Sequence, residues 1–486
     1  MTDQTSAPVV EGPLTAQRET LDQSATFELP FSRRAAWASG SLGTAAFTNA
    51  FALFGLFFMT NMLGIAAGVA GGLIFVSKLY DAFSDPIMGG ISDGFKKLNR
   101  ERRLFLLPGA VLSGLMFVVF FFLPTLQGGW GVVLTFLTLI GMSTAFTVYA
   151  VPYLAMPPEI EPTYQGRTKL MSYRVFFIMI GVLLGSAGAP VLVSLMEEEP
   201  RDGYRLAAVV LAAFIILSGL VASLGTRGLE KPAHSKDGAG VQPSVFASLL
   251  NDPLAKIVGI FSNAPFRVLT LVKLLQLAVL AIILSATPYF FRYVLELGNE
   301  TIGVYFSVFG LSGIVMIPLL RFSIARWGKK TAYMRFLALY AVGVASWIVW
   351  SPSEPEIFLY VRAAFIGTVS TGALFCVLAL LPDTMEFDRL ASGEAREGAM
   401  SGIFTLVEKV SGAIGPLIVG VMLQAMGLIA SYAPDVVQPA SAILAIKLCA
   451  SLVPAGLTLL CIPLVMMYKL DEEDLKQARL AAHQGS

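Results

Sequence analysis

Two histidines and three cysteines are all that 486 residues hold of those types. Both histidines, His234 and His483, lie in polar stretches. A proton path through an apolar segment therefore has no imidazole to use and must run on carboxylates. The cysteines Cys376, Cys449 and Cys461 stand singly in apolar runs. That spacing excludes a zinc motif and a disulfide framework and fits buried thiols. Charge is scarce as well. Only 14% of residues are charged and the formal net charge is +1, so there is no electrostatic basis for a nucleic-acid or acidic partner. The chain shows no paired histidines, no clustered cysteines and no nucleophile elbow, which leaves a polytopic enzyme or scaffold as a remote alternative.

Apolar residues are what the sequence has instead. They make up 56% of the chain, with a mean hydropathy of +0.72, values that exclude a soluble domain of this length. Residues 1–34 are polar, lack an apolar leader core and read as a disordered tail, so no cleaved signal peptide is expected. Segments of about 20 residues or more, long enough to span a bilayer, then come in two sets of six. The first set falls near 36–62, 66–94, 104–125, 130–157, 170–196 and 204–225, within a half spanning 35–225. A polar linker, 226–265, carries a short surface helix near 246–250. The second set falls near 266–292, 299–322, 329–350, 356–382, 398–427 and 440–468, within a half spanning 266–468, and a polar tail, 469–486, closes the chain. Basic residues crowd the second-to-third loop (Lys96, Lys97, Arg100, Arg102, Arg103) and the eighth-to-ninth (Arg326, Lys329, Lys330), while loops on the opposite side are acidic or bare. The basic side is expected to be cytoplasmic, with both termini and the linker. An all-α membrane protein of twelve helices in two six-helix halves resembles the major facilitator architecture, with alternating access around a midplane site.

One span departs from the apolar pattern. In residues 78–89, Lys78, Asp81 and Asp85 occupy positions i, i+3 and i+7, which share one face of a helix. Each ion at membrane depth costs on the order of 3 kcal/mol by insertion scales, so such groups face a cavity or one another. Pro86 has no amide for the Ala82 carbonyl. Two carboxylates, the Ser84 hydroxyl and a spare carbonyl are hard donors suited to Na⁺, Li⁺ or a proton. The other reading is a solvated helix end near the membrane surface, since Asp93 and the basic run follow. Lys409, beside Glu408 in an apolar segment, either faces a cavity or snorkels to the surface. Gly181, Gly185 and Gly188, with Gly412, Gly415 and Gly420, fit close helix packing.

The sequence Asp81-Ala82-Phe83-Ser84-Asp85-Pro86-Ile87-Met88-Gly89 resembles a second-span motif of the glycoside–pentoside–hexuronide:cation symporter family. Val151-Pro152-Tyr153 with Pro158-Glu159, Asp383-Thr384, Arg396-Glu397-Gly398 and Tyr468-Lys469-Leu470-Asp471-Glu472 are similar to further family patterns in the same order. The resemblance implies symport of a small organic solute, a glycoside, sugar or uronide, with Na⁺ or H⁺. No cofactor beyond the coupling ion is implied, and a monomer in a bacterial inner membrane is expected. Carried over position by position, the cation site uses Asp81, Asp85, Ser84 and Thr147, with Na⁺ held by the two aspartates if sodium is the coupling ion. Lys78 stands where the family has an arginine, and Lys409 and Arg174 match positions linked to coupling and gating. Arg174 lies near a helix start, so a cytoplasmic anchor fits equally.

The departures bear on the solute. Where sugar-transporting members carry aspartates on the first and fourth spans, this chain has Ala45 and Ala150, and Leu154 replaces a neighbouring tryptophan. The remaining polar candidates for the solute pocket are Asn49, Gln276, Tyr149 and Tyr153, among the aromatic residues Phe47, Phe51, Phe146, Phe176 and Phe177. The sodium–lysophosphatidylcholine symporter branch of the same superfamily also keeps paired aspartates without those sugar carboxylates, and resembles this chain at Arg326-Trp327-Gly328-Lys329-Lys330. A lysophospholipid or other amphiphile is therefore the alternative solute.

Overall fold

A backbone that crosses hydrocarbon must satisfy its own amides, and for a chain this apolar that leaves helices. The computed structural model describes residues 29–229 and 260–480, apart from breaks at 127–128, 162, 197–198, 352, 393–395, 432–435, 471–472 and 478–479. No strand occurs among the described residues, and eleven of their helices are long and apolar enough to cross a membrane. These are α1 (Phe31–Met62), α3 (Arg102–Phe121), α4 (Gly129–Ile160), α5 (Gln165–Ser194), α6 (Pro200–Gly225), α7 (Ala264–Leu295), α8 (Asn299–Leu320), α9 (Phe322–Val349), α10 (Ile357–Ser392), α11 (Ala399–Ala425) and α12 (Ala440–Met467). The twelfth is α2 (Ala67–Lys97), whose 31 residues reach across but carry Lys78, Asp81 and Asp85 in the middle. Length makes it a span, and only its charges set it apart.

The boundaries differ from the sequence expectation in places that have physical causes. Helix α1 begins at Phe31, inside the expected tail, and α5 begins at Gln165 and not near 170. Helix α10 continues to Ser392, past the expected end at 382. Pro382 removes a single backbone bond, to the Leu378 carbonyl, and both residues face outward. Asp383 and Thr384 are thus within the helix and not after it. Helix α8 and most of α9 belong to one run, Asn299–Ala345, with a kink inside α9 at Gly328, whose φ of 73° is the left-handed conformation that glycine adopts without a Cβ clash. The expected basic turn is therefore there, but it is a single-residue break. Most of the expected tail, the linker at 230–259 with its surface helix, and the chain after 480 lie outside the described residues.

Within the first six helices, α1 packs on α5 and α6, α3 on α4 and α6, and α2 on α4. Within the last six, α7 packs on α11 and α12, and the α8–α9 run on α10 and α12. The two groups meet along α2–α11, α1–α7 and α5–α8. At the ends of α1 and α7 the helices widen into π turns, Phe58–Met62 and Phe291–Leu295. There the Thr60 and Tyr289 hydroxyls lie 2.6 Å apart, and Tyr293 donates to Asn61 Oδ1 at 2.5 Å. Beside them α2 and α11 touch backbone to backbone: a Cβ on Gly71 would meet the Pro416 carbonyl, and one on Gly420 the Ala67 carbonyl. These contacts join the two groups near one end of α1, α2, α7 and α11.

All three cysteines are buried, so an introduced thiol reports topology without background. Leu98, 72% exposed after α2, and Ser353, exposed after α9, are separated by an odd number of spans. Leu98→Cys and Ser353→Cys should react with a membrane-impermeant maleimide from opposite faces of oriented vesicles. Labelling of both from one face would contradict the twelve-helix path.

Candidate cation site

Three rungs fix α2 against α4. Ser143 donates to the Ser77 carbonyl at 3.3 Å, the Tyr80 and Thr144 hydroxyls meet at 3.0 Å, and Ser84 and Thr147 meet at 3.3 Å. The rungs climb both helices in the same direction, by about one turn each on α2 and by less on α4, as expected for two spans running the same way. The opposite face of α2 carries Val76, Leu79, Phe83 and Ile87, all exposed. With that apolar stripe turned to lipid, Asp81 and Ser84 must turn inward, and both are buried.

The third rung brings the expected ligands together. Thr147 Oγ1 donates to Asp85 Oδ1 at 2.9 Å. Its single proton is then committed, so in the 3.3 Å contact Ser84 is the donor and Thr147 the acceptor. Lys78 Nζ lies 3.3 Å from Asp81 Oδ2, one turn back on the same face. Lys409 of α11 forms an ion pair with Asp85 Oδ2, joining the two groups of helices at this level. Asp81 is 4% exposed, and its Oδ1 is buried with no hydrogen-bond partner. A buried carboxylate oxygen without a donor is costly, by roughly 1–3 kcal/mol or more for a charged group. Asp81 lies one turn before Asp85 on α2, and with the Ser84 and Thr147 hydroxyls linked at Asp85 these residues offer hard oxygen donors of the kind that suits a monovalent cation or a proton.

The remaining candidates lie elsewhere. Arg174 is half-buried on α5, where Ser41 donates to its backbone carbonyl at 3.2 Å, and its side chain stands beside Tyr153. Among the described residues no contact links it to Asp81 or Asp85. Tyr149 and Tyr153 donate to the Gly40 and Trp37 carbonyls of α1 at 3.0 and 3.1 Å, and Tyr153 stacks on the Trp37 ring at 4.7 Å. Their hydroxyls thus fasten α4 to α1. Asn49 donates back to the Ala45 carbonyl of its own helix at 2.9 Å. Gln276 accepts from the Tyr333 hydroxyl at 2.8 Å. Phe47 packs between Phe117 and Phe146, 5.2 and 5.3 Å away, in the first helix group's core.

Glu408 does not pair with the neighbouring Lys409. It pairs with Lys273 of α7 at 2.7 Å, a lysine that the sequence reading passed over. The signal was visible, since Lys273 interrupts the apolar run Leu269-Thr270-Leu271-Val272 within the first third of the seventh span.

A family model described as MFS/sugar transport protein matches residues 36–472. A putative sulfoquinovose importer of Salmonella typhimurium is 26% identical, covering 92% of this chain and 92% of its own length. The putative glycoside/cation symporter YagG of Escherichia coli is 26% identical over 86% of this chain and 87% of its own. In fold, a bacterial homologue of the human lysosomal transporter Spinster, solved inward-facing and unoccupied, aligns with a TM-score of 0.64 at 14% identity, covering 92% of this chain and 100% of that one. That last likeness concerns the fold alone. With the family match running through all twelve helices, the chain belongs to the MFS/sugar transport protein family and is a membrane transporter, not an enzyme.

Proposed function

We propose that the protein imports a sugar-like solute (a glycoside, sugar or uronide) together with Na⁺ or H⁺ by alternating access, working as a monomer in a bacterial inner membrane. Both termini and the basic loops face the cytoplasm in this reading, as the bias of Lys96, Lys97, Arg100, Arg102 and Arg103 favours. Relatives named as importing sulfoquinovose and as a glycoside/cation symporter support the solute class. The observation that carries the coupling is the Lys409–Asp85 ion pair beside the unpartnered Asp81 oxygen.

The chemistry is an exchange. A carboxylate at membrane depth needs a counter-charge, because an unpaired ion there is costly. Asp85 therefore holds either the Lys409 ammonium or the transported cation, and the state with neither is scarce. When the cation enters among Asp81, Asp85, Ser84 and Thr147, Lys409 loses its partner and α11 is released from α2 at that level. The ion thus binds one state better than the other, which is the condition for shifting a conformational equilibrium. Arg174, beside Tyr153 and Trp37, acts in this reading as an anchor of α5 on the basic side. The packed positions of Phe47, Tyr149 and Tyr153 give an amphiphile no aromatic wall from these residues.

Purified protein in liposomes should accumulate a radiolabelled glycoside only when an inward Na⁺ or H⁺ gradient is imposed. Asp81→Asn and Asp85→Asn should abolish that accumulation while folded protein remains in the membrane. Thr147→Ala should weaken cation affinity roughly tenfold, the range for a hydrogen bond to a charged group. Uphill transport undiminished in both aspartate variants would end the coupling reading.

Lys409→Ala gives the complementary result. It removes the competing ammonium, so cation affinity, measured by thermal stabilisation, should hold or rise while solute movement loses its dependence on the gradient. Unchanged affinity together with unchanged gradient dependence would show that Lys409 takes no part.

A further inference from the structure

We infer that Glu408, fixed from behind by Lys273, is the hydroxyl-accepting carboxylate of the solute site, and that it selects neutral glycosides over anionic ones; this rests on the sugar-symport reading above.

The exposed residues of α11 separate into two stripes. Leu406, Val410 and Val421 form an apolar one, fit for lipid. Ser401, Thr405, Glu408 and Gly412, spaced at helical intervals on another face, form a polar and small one, and all four are exposed. Open space surrounds the Gly412 Cα. A charged side chain 55% exposed in mid-span cannot face hydrocarbon at reasonable cost, so this stripe borders water. Its neighbour Lys409 reaches α2, which puts this part of α11 where the two groups of helices meet.

Lys273 gives the carboxylate its geometry. It is 2% exposed. Its ammonium donates to Glu408 Oε1 at 2.7 Å and to the Phe404 carbonyl at 3.0 Å, and it lies 3.5 Å from the centre of the Phe404 ring. The cation is thus covered on the protein side, and only the carboxylate is presented to the water-filled side. Gln276, one turn from Lys273 on α7, is half-buried and held by Tyr333. A carboxylate so presented has lone pairs left for solute hydroxyls, and charge-assisted hydrogen bonds of this kind are the strong ones. The same negative edge repels a solute carboxylate or sulfonate, which narrows the solute class proposed above to its neutral members and away from uronides. It also supplies, from the last six helices, the carboxylate that Ala45 and Ala150 cannot supply from the first six.

The test uses matched probes on the full chain in nanodiscs: p-nitrophenyl β-D-glucoside, galactoside and xyloside, against p-nitrophenyl β-D-glucuronide. Glu408→Gln alone strands a buried ammonium and risks misfolding, so Lys273→Met/Glu408→Gln, which removes both charges, is the working variant. Wild type should bind at least one neutral probe tenfold or more tighter than the glucuronide by calorimetry. The double variant should lose at least tenfold in neutral-probe affinity and narrow or reverse the preference, with stabilisation by Na⁺ or low pH unaltered. Glucuronide binding as tight as the neutral probes, or a double variant that keeps the neutral preference, overturns this inference and leaves symport standing. Binding of none of the four probes also overturns it, and the symport reading falls separately only if gradient-driven accumulation is absent.

Discussion

A charge in a medium of low dielectric has few places to go, and the Lys409–Asp85 pair is where that constraint acts on this molecule. Asp85 lies on α2 and Lys409 on α11, so the two groups of helices are joined by an ion pair, which in the proposed cycle a small cation replaces. Elsewhere along the same two helices the contact is of another kind. Near Gly71 and Gly420 it is backbone against backbone, with no side chain to move. Packing of that type depends on shape and does not respond to an ion. A single pair of helices thus carries a backbone contact toward one end and an ion pair in the middle, and in the proposed cycle the ion acts on the second of these.

The ion pair also depends on how α4 positions α2. Three hydrogen-bonded rungs set the register of α2, and the last of them delivers the Thr147 hydroxyl to Asp85. Since that proton is directed at the carboxylate, the Thr147 oxygen faces the other way, toward Ser84. In the proposed cycle a metal ion needs these hydroxyl oxygens as ligands, so the rung must loosen as the ion binds. Register and affinity are then properties of the same few atoms. The backbone near Pro86 adds to this, because the Ala82 carbonyl has no amide one turn on to bind.

What the sequence could tell followed the same physics. The charged face of α2 was legible because ions in an apolar run are costly and helical spacing is regular. Thr147 came only with the family resemblance, since a threonine in a membrane helix usually bonds its own backbone, as Thr138 and Thr144 do here. The Tyr149 and Tyr153 hydroxyls, expected near the solute, bond α1 carbonyls, and no sequence signal announces that. Which face of an apolar helix looks inward is hidden from sequence, because lipid and protein core are equally apolar. Lys273 and Glu408 are 135 positions apart, and nothing in the chain announces the register of α7 against α11 that joins them. Helix ends failed for a related reason: Pro382 signals a stop by rule, yet an outward-facing proline costs α10 a single bond.

The charges within α2, α7 and α11 add up in a way that bears on energetics. Lys78 faces Asp81, Lys409 faces Asp85 and Lys273 faces Glu408, so the three pairs together are neutral. In the proposed cycle a monovalent cation adds one positive charge when it displaces Lys409, and the loaded carrier differs from the empty one by that charge. A membrane potential, negative inside, acts on the difference with about 2.3 kcal/mol per 100 mV for a full crossing. Inward movement of the loaded carrier is favoured by it, while the return, with Lys409 back on Asp85, moves no net charge and is not opposed. A neutral solute preserves that asymmetry. A singly anionic solute would cancel the added charge and leave only the chemical gradient of the ion to drive uptake, so the charge of the solute and the force available to move it are set together by these three lysine–carboxylate pairs.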